Sequence, residues 1–105
     1  MIYKKEIQQY LQESTSAFEK LENQSSEISA ISEKVISALR AKNKILICGN
    51  GGSAADAQHI STEFLVRLNP NKNRKSFPII CLGNDMTYLT ACGNDYGFEN
   101  VFSRH

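Results

Sequence analysis

The chain has 105 residues, of which 41% are hydrophobic and 22% are charged, and its formal net charge is +1. This composition is typical of a globular domain rather than a disordered or fibrous protein. Nucleic-acid binding is not expected, because it needs a clear excess of Lys and Arg on one surface. No run approaches the roughly 18 apolar residues that cross a bilayer, and the start, MIYKKEIQQY, lacks the apolar core of a secretory signal. We therefore expect one cytoplasmic domain with no membrane partner.

Two amphipathic helices are predicted at the start of the chain. From Ile2 to Leu21, apolar residues recur at spacings of three, four and seven, which forms the stripe of an amphipathic helix. That stripe is free to dock on a core or on a partner subunit. A second helix opens near Ser25 and Ser26, either of which can cap it, and ends at RAKN, where Asn43 tolerates a left-handed cap. Its buried stripe is expected to consist of Ile28, Ile31, Val35 and Leu39.

The middle of the chain has the pattern of a strand, a helix and a second strand. KILIC, at 44–48, is β-branched and apolar without alternation, which predicts a strand buried on both faces of a parallel sheet. A helix follows from about Ala54 to Leu68, then a polar surface loop, NPNKNRKS, and a second strand at FPIICL, 77–82. This βαβ unit predicts an α/β fold with a right-handed crossover. Cys48 and Cys81 lie in the apolar runs and are interpreted as reduced core cysteines.

The rest of the chain is predicted to be a loop, a short helix around Thr87 to Ala91, a second Gly-Asn-Asp turn at 93–95 and the start of another helix. Two parallel strands alone do not make a stable doubly wound sheet. We therefore expect an incomplete part of a longer α/β domain, or a chain that folds only with partners. We divide it into N-terminal helices at 1–43, for oligomerisation and packing, and the N-terminal part of an α/β domain at 44–105.

A glycine-rich turn, GNGGS at 49–53, lies where the first strand passes into the helix. Glycine there permits positive φ and close approach of the backbone to a ligand. The N–H groups of the helix's first turn form an anion site, and the Ser53 hydroxyl either caps the helix or binds phosphate. The alternative is a tight βα turn with Ser53 only as its N-cap. A dinucleotide or Walker site does not fit, because the first acid after the second strand, Asp85, comes too late and no lysine follows the glycines.

A histidine and a glutamate follow on the same helix. His59 and Glu63 are four residues apart, so they project from one face with their Cβ atoms about 5–6 Å apart, and Asp56 and Arg67 continue that face. Alone, the pair would be a solvated stripe; with the glycine-rich turn it would bracket a small phosphorylated metabolite. Imidazole and carboxylate are also zinc ligands, but a zinc site normally needs three or four, so other residues would have to complete it. His105 is interpreted as an incidental terminal residue.

Two stretches, GNGGSAADAQHISTEF at 49–64 and GNDYGFENVFSR at 93–104, closely resemble the phosphoheptose isomerases of the sugar isomerase (SIS) superfamily. The resemblance extends from the N-terminal helices to Arg104 and covers a little more than the first half of the family's usual length. It implies a flavodoxin-like SIS fold, with a parallel sheet flanked by helices, and a homotetramer with active sites at subunit interfaces. The implied reaction is an aldose-ketose isomerisation, from sedoheptulose 7-phosphate to D-glycero-D-manno-heptose 7-phosphate, in lipopolysaccharide or capsule biosynthesis.

By position, the resemblance also implies roles for particular residues. His59 and Glu63 match the first two ligands of one zinc ion per subunit, and Glu63 matches the proposed proton-transfer residue. Arg67 falls at a matching arginine, for which we hypothesise a role on the substrate side. Asn50, Gly51, Gly52 and Ser53 match a substrate loop, and Asn94 and Asp95 match a second substrate-contacting turn. His59 and Glu63, on the helix, are also implied to bind substrate.

The family's remaining site residues lie beyond His105: a second phosphate loop, a Gln and a His that bind zinc, and the histidine that partners the glutamate. We therefore expect the other zinc ligands outside this chain and no substantial isomerase activity from a chain ending at His105. Two alternatives are non-catalytic SIS modules, one binding the bacterial replication initiator and one sensing a sugar phosphate. Glu63, with NDYGFENVFSR, favours the isomerase over the initiator-binding proteins, which lack that glutamate.

Overall fold

The structure is a computed structural model that describes every residue from Met1 to His105. Its elements in chain order are α1 (Lys4–Glu22), α2 (Ser25–Arg40), β1 (Ile45–Ile47), α3 (Gly52–Leu65), β2 (Ile79–Cys81), α4 (Met86–Tyr96) and a 3₁₀ turn (Phe98–Asn100). Its contacts divide the chain into two compact units, Met1–Ile36 and Ser37–His105, with the boundary inside α2. The organisation into 1–43 and 44–105 stays a prediction. No helix combines the length and the apolar character that crossing a membrane requires.

Both N-terminal helices form close to their predicted bounds, but neither has a buried residue. The apolar stripe of α1 is exposed along its length, at Ile7, Tyr10, Leu11, Phe18 and Leu21. The buried stripe predicted for α2 is wrong: Ile28 and Ile31 are exposed, while Val35 and Leu39 are half-buried. The spacing identifies which face of a helix is apolar, whereas burial requires another element to cover that face.

The C-terminal end of α2 is a Schellman motif, a paired set of backbone hydrogen bonds around one left-handed residue. The N–H of Asn43 donates to the Ala38 carbonyl at 2.9 Å, and the N–H of Lys42 donates to the Leu39 carbonyl at 3.1 Å. Lys42 has the positive φ, 60°, so the prediction that Asn43 would be the left-handed residue is wrong by one position. Asn43 instead supplies the donor of the longer-range bond.

The second unit is organised around the predicted βαβ arrangement. β1 and β2 run parallel, and the register pairs are Ile45 with Ile79, Leu46 with Ile80 and Ile47 with Cys81. α3 packs on β2. The prediction of a strand buried on both faces of the sheet is wrong. Leu46 and Ile80, on one face, are 55% and 43% exposed, while Ile79, on the other face, is 6% exposed. The predicted parallel α/β arrangement is confirmed.

The core of the second unit is small. Its buried apolar residues are Ala57, Ile79, Cys92 and Val101. All three cysteines are free, but Cys48 is exposed and Cys81 only half-buried, so the core position assigned to both is wrong. The buried thiol is Cys92, on α4.

α4 is longer than the short helix predicted around Thr87 to Ala91. Its N-cap is Asp85, whose carboxylate accepts from the backbone N–H groups of Thr87, at 2.9 Å, and Tyr88, at 3.3 Å. The prediction of a second Gly-Asn-Asp turn is wrong, because residues 93–95 continue the helix. The helix ends at Gly97, with φ 86° and ψ 151°, a conformation essentially restricted to glycine. A 3₁₀ turn then replaces the predicted start of another helix.

Gly49, in the turn after β1, lies close against the first turn of α3. A Cβ at this position would overlap the backbone carbonyl of Ser53, which cannot move without shifting the first turn of α3. We expect Gly49→Ala to lower the free energy of unfolding by about 1–3 kcal/mol, as overpacking does. Urea denaturation measures this. In the control, Gly93→Ala, the added Cβ meets open space, so helix propensity should raise stability by up to about 1 kcal/mol. Equal effects from the two substitutions would contradict the close approach.

Candidate functional site

The first part of the candidate site is the glycine-rich turn. Gly51, with φ 57° and ψ −122°, is the N-cap of α3, and no side chain caps the helix. Ser53 is therefore the second helical residue, and the alternative in which it is the N-cap is wrong. The N–H of Ser53 donates to the Asn50 carbonyl at 3.0 Å, whereas the N–H groups of Gly51 and Gly52 donate to no backbone oxygen. The turn thus offers two unused N–H donors beside the exposed Ser53 hydroxyl.

His59 and Glu63 lie together further along the same helix. His59 Nε2 is 3.0 Å from Glu63 Oε1, within hydrogen-bond distance. The His59 side chain is 76% exposed and that of Glu63 is 30% exposed. No group of three or more His, Cys, Asp or Glu side chains assembles as a metal site in this chain. Because the His59 side chain is the more exposed of the two, a ligand can reach the pair from the histidine side.

The separation of the two donor atoms can be compared with what zinc requires. Nitrogen and oxygen ligands at about 2.0–2.2 Å from a tetrahedral zinc ion lie about 3.4 Å from each other. His59 Nε2 and Glu63 Oε1 are 3.0 Å apart, so a small side-chain adjustment would let both bind one ion. The donor types and their spacing therefore fit zinc, with this pair as two of its ligands.

A polar contact that was missed from the sequence joins α3 to the end of β2. Gln58 Nε2 donates to Asn84 Oδ1 at 2.8 Å, and Cys81 Sγ donates to the same oxygen at 3.3 Å. Ligands of open α/β sheets bind beyond the carboxyl ends of the strands, where Asn84 lies. The available signal was the position of Asn84 shortly after the second strand.

Arg74 is a second residue missed from the sequence. Its guanidinium donates to the backbone carbonyl of Glu63 at 2.6 Å and to that of Phe64 at 2.8 Å. It comes from the polar stretch predicted to be only a surface loop. Arg67, which we hypothesised to act on the substrate side, is exposed and takes no part in this contact.

Asn94 and Asp95 lie on another helix, in the last turn of α4. Asn94 Nδ2 donates to Asp95 Oδ1 at 2.9 Å, and both side chains are exposed. No hydrogen bond joins either side chain to the α3 residues. The structure therefore brings the glycine-rich turn and the His59–Glu63 pair onto one helix but leaves the second predicted substrate segment separate.

Asp95 borders a cavity of about 240 Å³ that Tyr88 and Arg104 also line. Tyr88 donates to the Val101 carbonyl at 2.9 Å. Partial desolvation raises the pKa of Tyr88; the neighbouring Cys92 thiol also raises it, and the Arg104 charge opposes the shift. The His105 ring packs edge-on against Tyr88, with centroids 4.7 Å apart, so His105 does have a partner distant in sequence.

The family model for the SIS domain matches residues 9–105. This chain belongs to the SIS domain family. A phosphoheptose isomerase of Roseiflexus sp. (strain RS-1) is 50% identical over 84 residues, which are 80% of this chain and 42% of that protein.

Two solved structures resemble this SIS domain over 95% of the chain. The phosphoheptose isomerase of Neisseria gonorrhoeae superimposes with a TM-score of 0.80 at 36% identity, and that of Francisella tularensis with 0.87 at 32%. The alignments cover 50% and 52% of those chains, so this chain spans about half the length of its relatives. The predicted SIS fold, with helices around a parallel sheet, is confirmed.

The exposure of the His59–Glu63 pair leads to a prediction about stability. An exposed pair one helical turn apart contributes little to folding. We expect His59→Gln and Glu63→Gln each to change the free energy of unfolding by less than about 0.5 kcal/mol, as measured by urea denaturation. A loss above 2 kcal/mol would mean that the pair has mainly a structural role.

Proposed function

We propose that this SIS domain carries the phosphate-binding turn and the acid–base carboxylate of a phosphoheptose isomerase site. The observation that carries the proposal is the arrangement on α3. One helix presents unused N–H donors and Ser53 at its start, and a hydrogen-bonded His59–Glu63 pair further along. Relatives named phosphoheptose isomerase, at 50% sequence identity in one case, support the assignment.

The substrate's phosphate is proposed to bind at the start of α3. The helix dipole places positive potential there, and the N–H groups of Gly51 and Gly52 are available as donors. The Ser53 hydroxyl adds a donor with no steric barrier, since the side chain is exposed. Six residues of helix, or about 9 Å, separate Ser53 from His59, a length that a seven-carbon sugar phosphate can span.

The proposed reaction moves a proton between adjacent carbons of sedoheptulose 7-phosphate. Removing a proton from C1 gives an enediol, and returning a proton to C2 gives the aldose, so the site needs a base that can reach both carbons. Glu63 is the proposed base. In the metal-free site, His59 Nε2 lies 3.0 Å from the Glu63 carboxylate and holds that carboxylate in one orientation.

We propose one zinc ion per subunit, held by His59 and Glu63 and by ligands that this pair does not supply. When bound, zinc would polarise the substrate carbonyl as a Lewis acid. We also propose that the 105-residue chain alone shows no substantial turnover, because oxygen protonation needs an acid, and His59, the one imidazole beside the base, would be occupied by zinc.

The product is proposed to serve heptose synthesis for surface polysaccharide. The assembly is proposed to be a homotetramer with sites at subunit interfaces, which the long exposed apolar stripe of α1 supports, since such surfaces mark interaction sites. A replication-initiator module or a sugar-phosphate sensor has no use for the His59–Glu63 pair.

Titrations on the 105-residue chain test the two halves of the site separately. We expect one Zn²⁺ per chain, with His59→Ala and Glu63→Gln each weakening binding at least about 10-fold. We expect Ser53→Ala to weaken sedoheptulose 7-phosphate binding about 10-fold, through loss of a hydrogen bond to a charged group. The matched control is Ser76→Ala, at an exposed serine outside the site.

Unphosphorylated sedoheptulose provides the ligand control, because Ser53→Ala should not alter its binding. Unchanged phosphate-ester binding in Ser53→Ala would remove the phosphate assignment. Zinc binding that survives both metal-ligand substitutions would remove the metal assignment. Turnover comparable to that of a relative of twice the length would overturn the proposed inactivity of this chain alone.

A further inference from the structure

The C-terminal end of α3 is held by a side chain from outside the helix. The last carbonyls of a helix have no intrahelical donor. The Val66 N–H donates to the Thr62 carbonyl at 2.8 Å. The next two carbonyls, those of Glu63 and Phe64, accept from the Arg74 guanidinium at 2.6 and 2.8 Å. Arg74 therefore satisfies the backbone at the residue that carries the proposed base.

Arg74 is itself fixed by aromatic packing. Its guanidinium carbon lies 4.3 Å from the centroid of the Phe77 ring. That ring packs edge-on against Phe64, with centroids 6.2 Å apart, and the Phe77 N–H donates to the Phe64 carbonyl at 3.2 Å. A planar guanidinium can stack on a ring while donating to two acceptors, which an ammonium group cannot do. The contact thus depends on arginine in particular.

We propose that Arg74 is a positioning residue for Glu63. Glu63 lies in the last turn of α3, where helices fray. Its carboxylate stays 3.0 Å from His59 only while residue 63 keeps its helical backbone. By fixing the Glu63 carbonyl, Arg74 keeps that carboxylate aligned with His59. That this alignment serves catalysis rests on the proposed function. The alignment of Glu63 with His59 can itself be measured without metal or substrate.

The test compares Arg74→Met with Lys72→Met. Methionine keeps an apolar stem against Phe77 and removes the donors, whereas Lys72 is an exposed cation in the same loop with no side-chain hydrogen bond. We expect Arg74→Met to weaken Co²⁺ or Zn²⁺ binding about 10-fold, the effect typical of losing an outer-shell partner. Lys72→Met should leave metal binding unchanged.

A double-mutant cycle separates positioning from general destabilisation. If Arg74 acts through Glu63, then Arg74→Met should have no further effect on metal affinity in a Glu63→Gln background, where that ligand is already impaired. An undiminished 10-fold loss in that background would overturn the proposal. If Arg74→Met does not fold, Arg74→Lys replaces it, because lysine keeps the charge but cannot reach both carbonyls while stacked.

Proton NMR of the metal-free chain decides the inference even if the wild type binds no metal. The nuclear Overhauser effect between the His59 ring and the Glu63 side-chain methylenes should be present in the wild type and in Lys72→Met. It should be lost in Arg74→Met, while effects within the first two turns of α3 persist. An unchanged His59–Glu63 effect in Arg74→Met would overturn the positioning role. Absence of metal binding in the wild type would instead count against the proposed zinc site.

Discussion

The candidate site depends on α3 being fixed at both of its ends. At its start, the absence of a Cβ on Gly49 lets the turn after β1 lie against the Ser53 backbone. At its finish, Arg74 satisfies carbonyls that the helix itself cannot. Each constraint acts next to a functional group, the first beside the glycine-rich turn and the second at Glu63. A rigid helix between two such anchors holds its side chains at a spacing set by the helical rise.

The parts of this arrangement that were predictable are those set by local chemistry. An apolar strand followed by glycines and then small residues predicts a βα turn, and the turn forms with Gly51 at positive φ. The four-residue spacing of His59 and Glu63 predicts a shared face, and the two side chains are in contact. Both inferences need only the geometry of one helix and one turn. The alternation of helices and strands likewise sufficed to predict the parallel α/β arrangement.

The parts that were missed depend on partners distant in sequence. Arg74 is one cation in a polar loop, and nothing local indicates that it reaches back to the end of α3. Burial was overestimated at Leu46 and Ile80, because an apolar residue is buried only where another element covers it. The turn predicted at 93–95 failed for a different reason. Asp85 caps a helix strongly enough for it to continue through Gly93, whose local cost is only about 1 kcal/mol.

The two ends of α3 also differ electrostatically, and the site uses that difference. The start of the helix carries partial positive charge, which suits a phosphate, whereas its finish carries partial negative charge, which disfavours a carboxylate such as Glu63. The Arg74 guanidinium lies on those terminal carbonyls, so its positive charge offsets the unfavourable end of the dipole. Arg74 therefore places a cation at the finish of α3, beside the residue that carries the proposed base. Without a cation at that position, the partial negative charge of the terminal carbonyls would lie unopposed beside the Glu63 side chain.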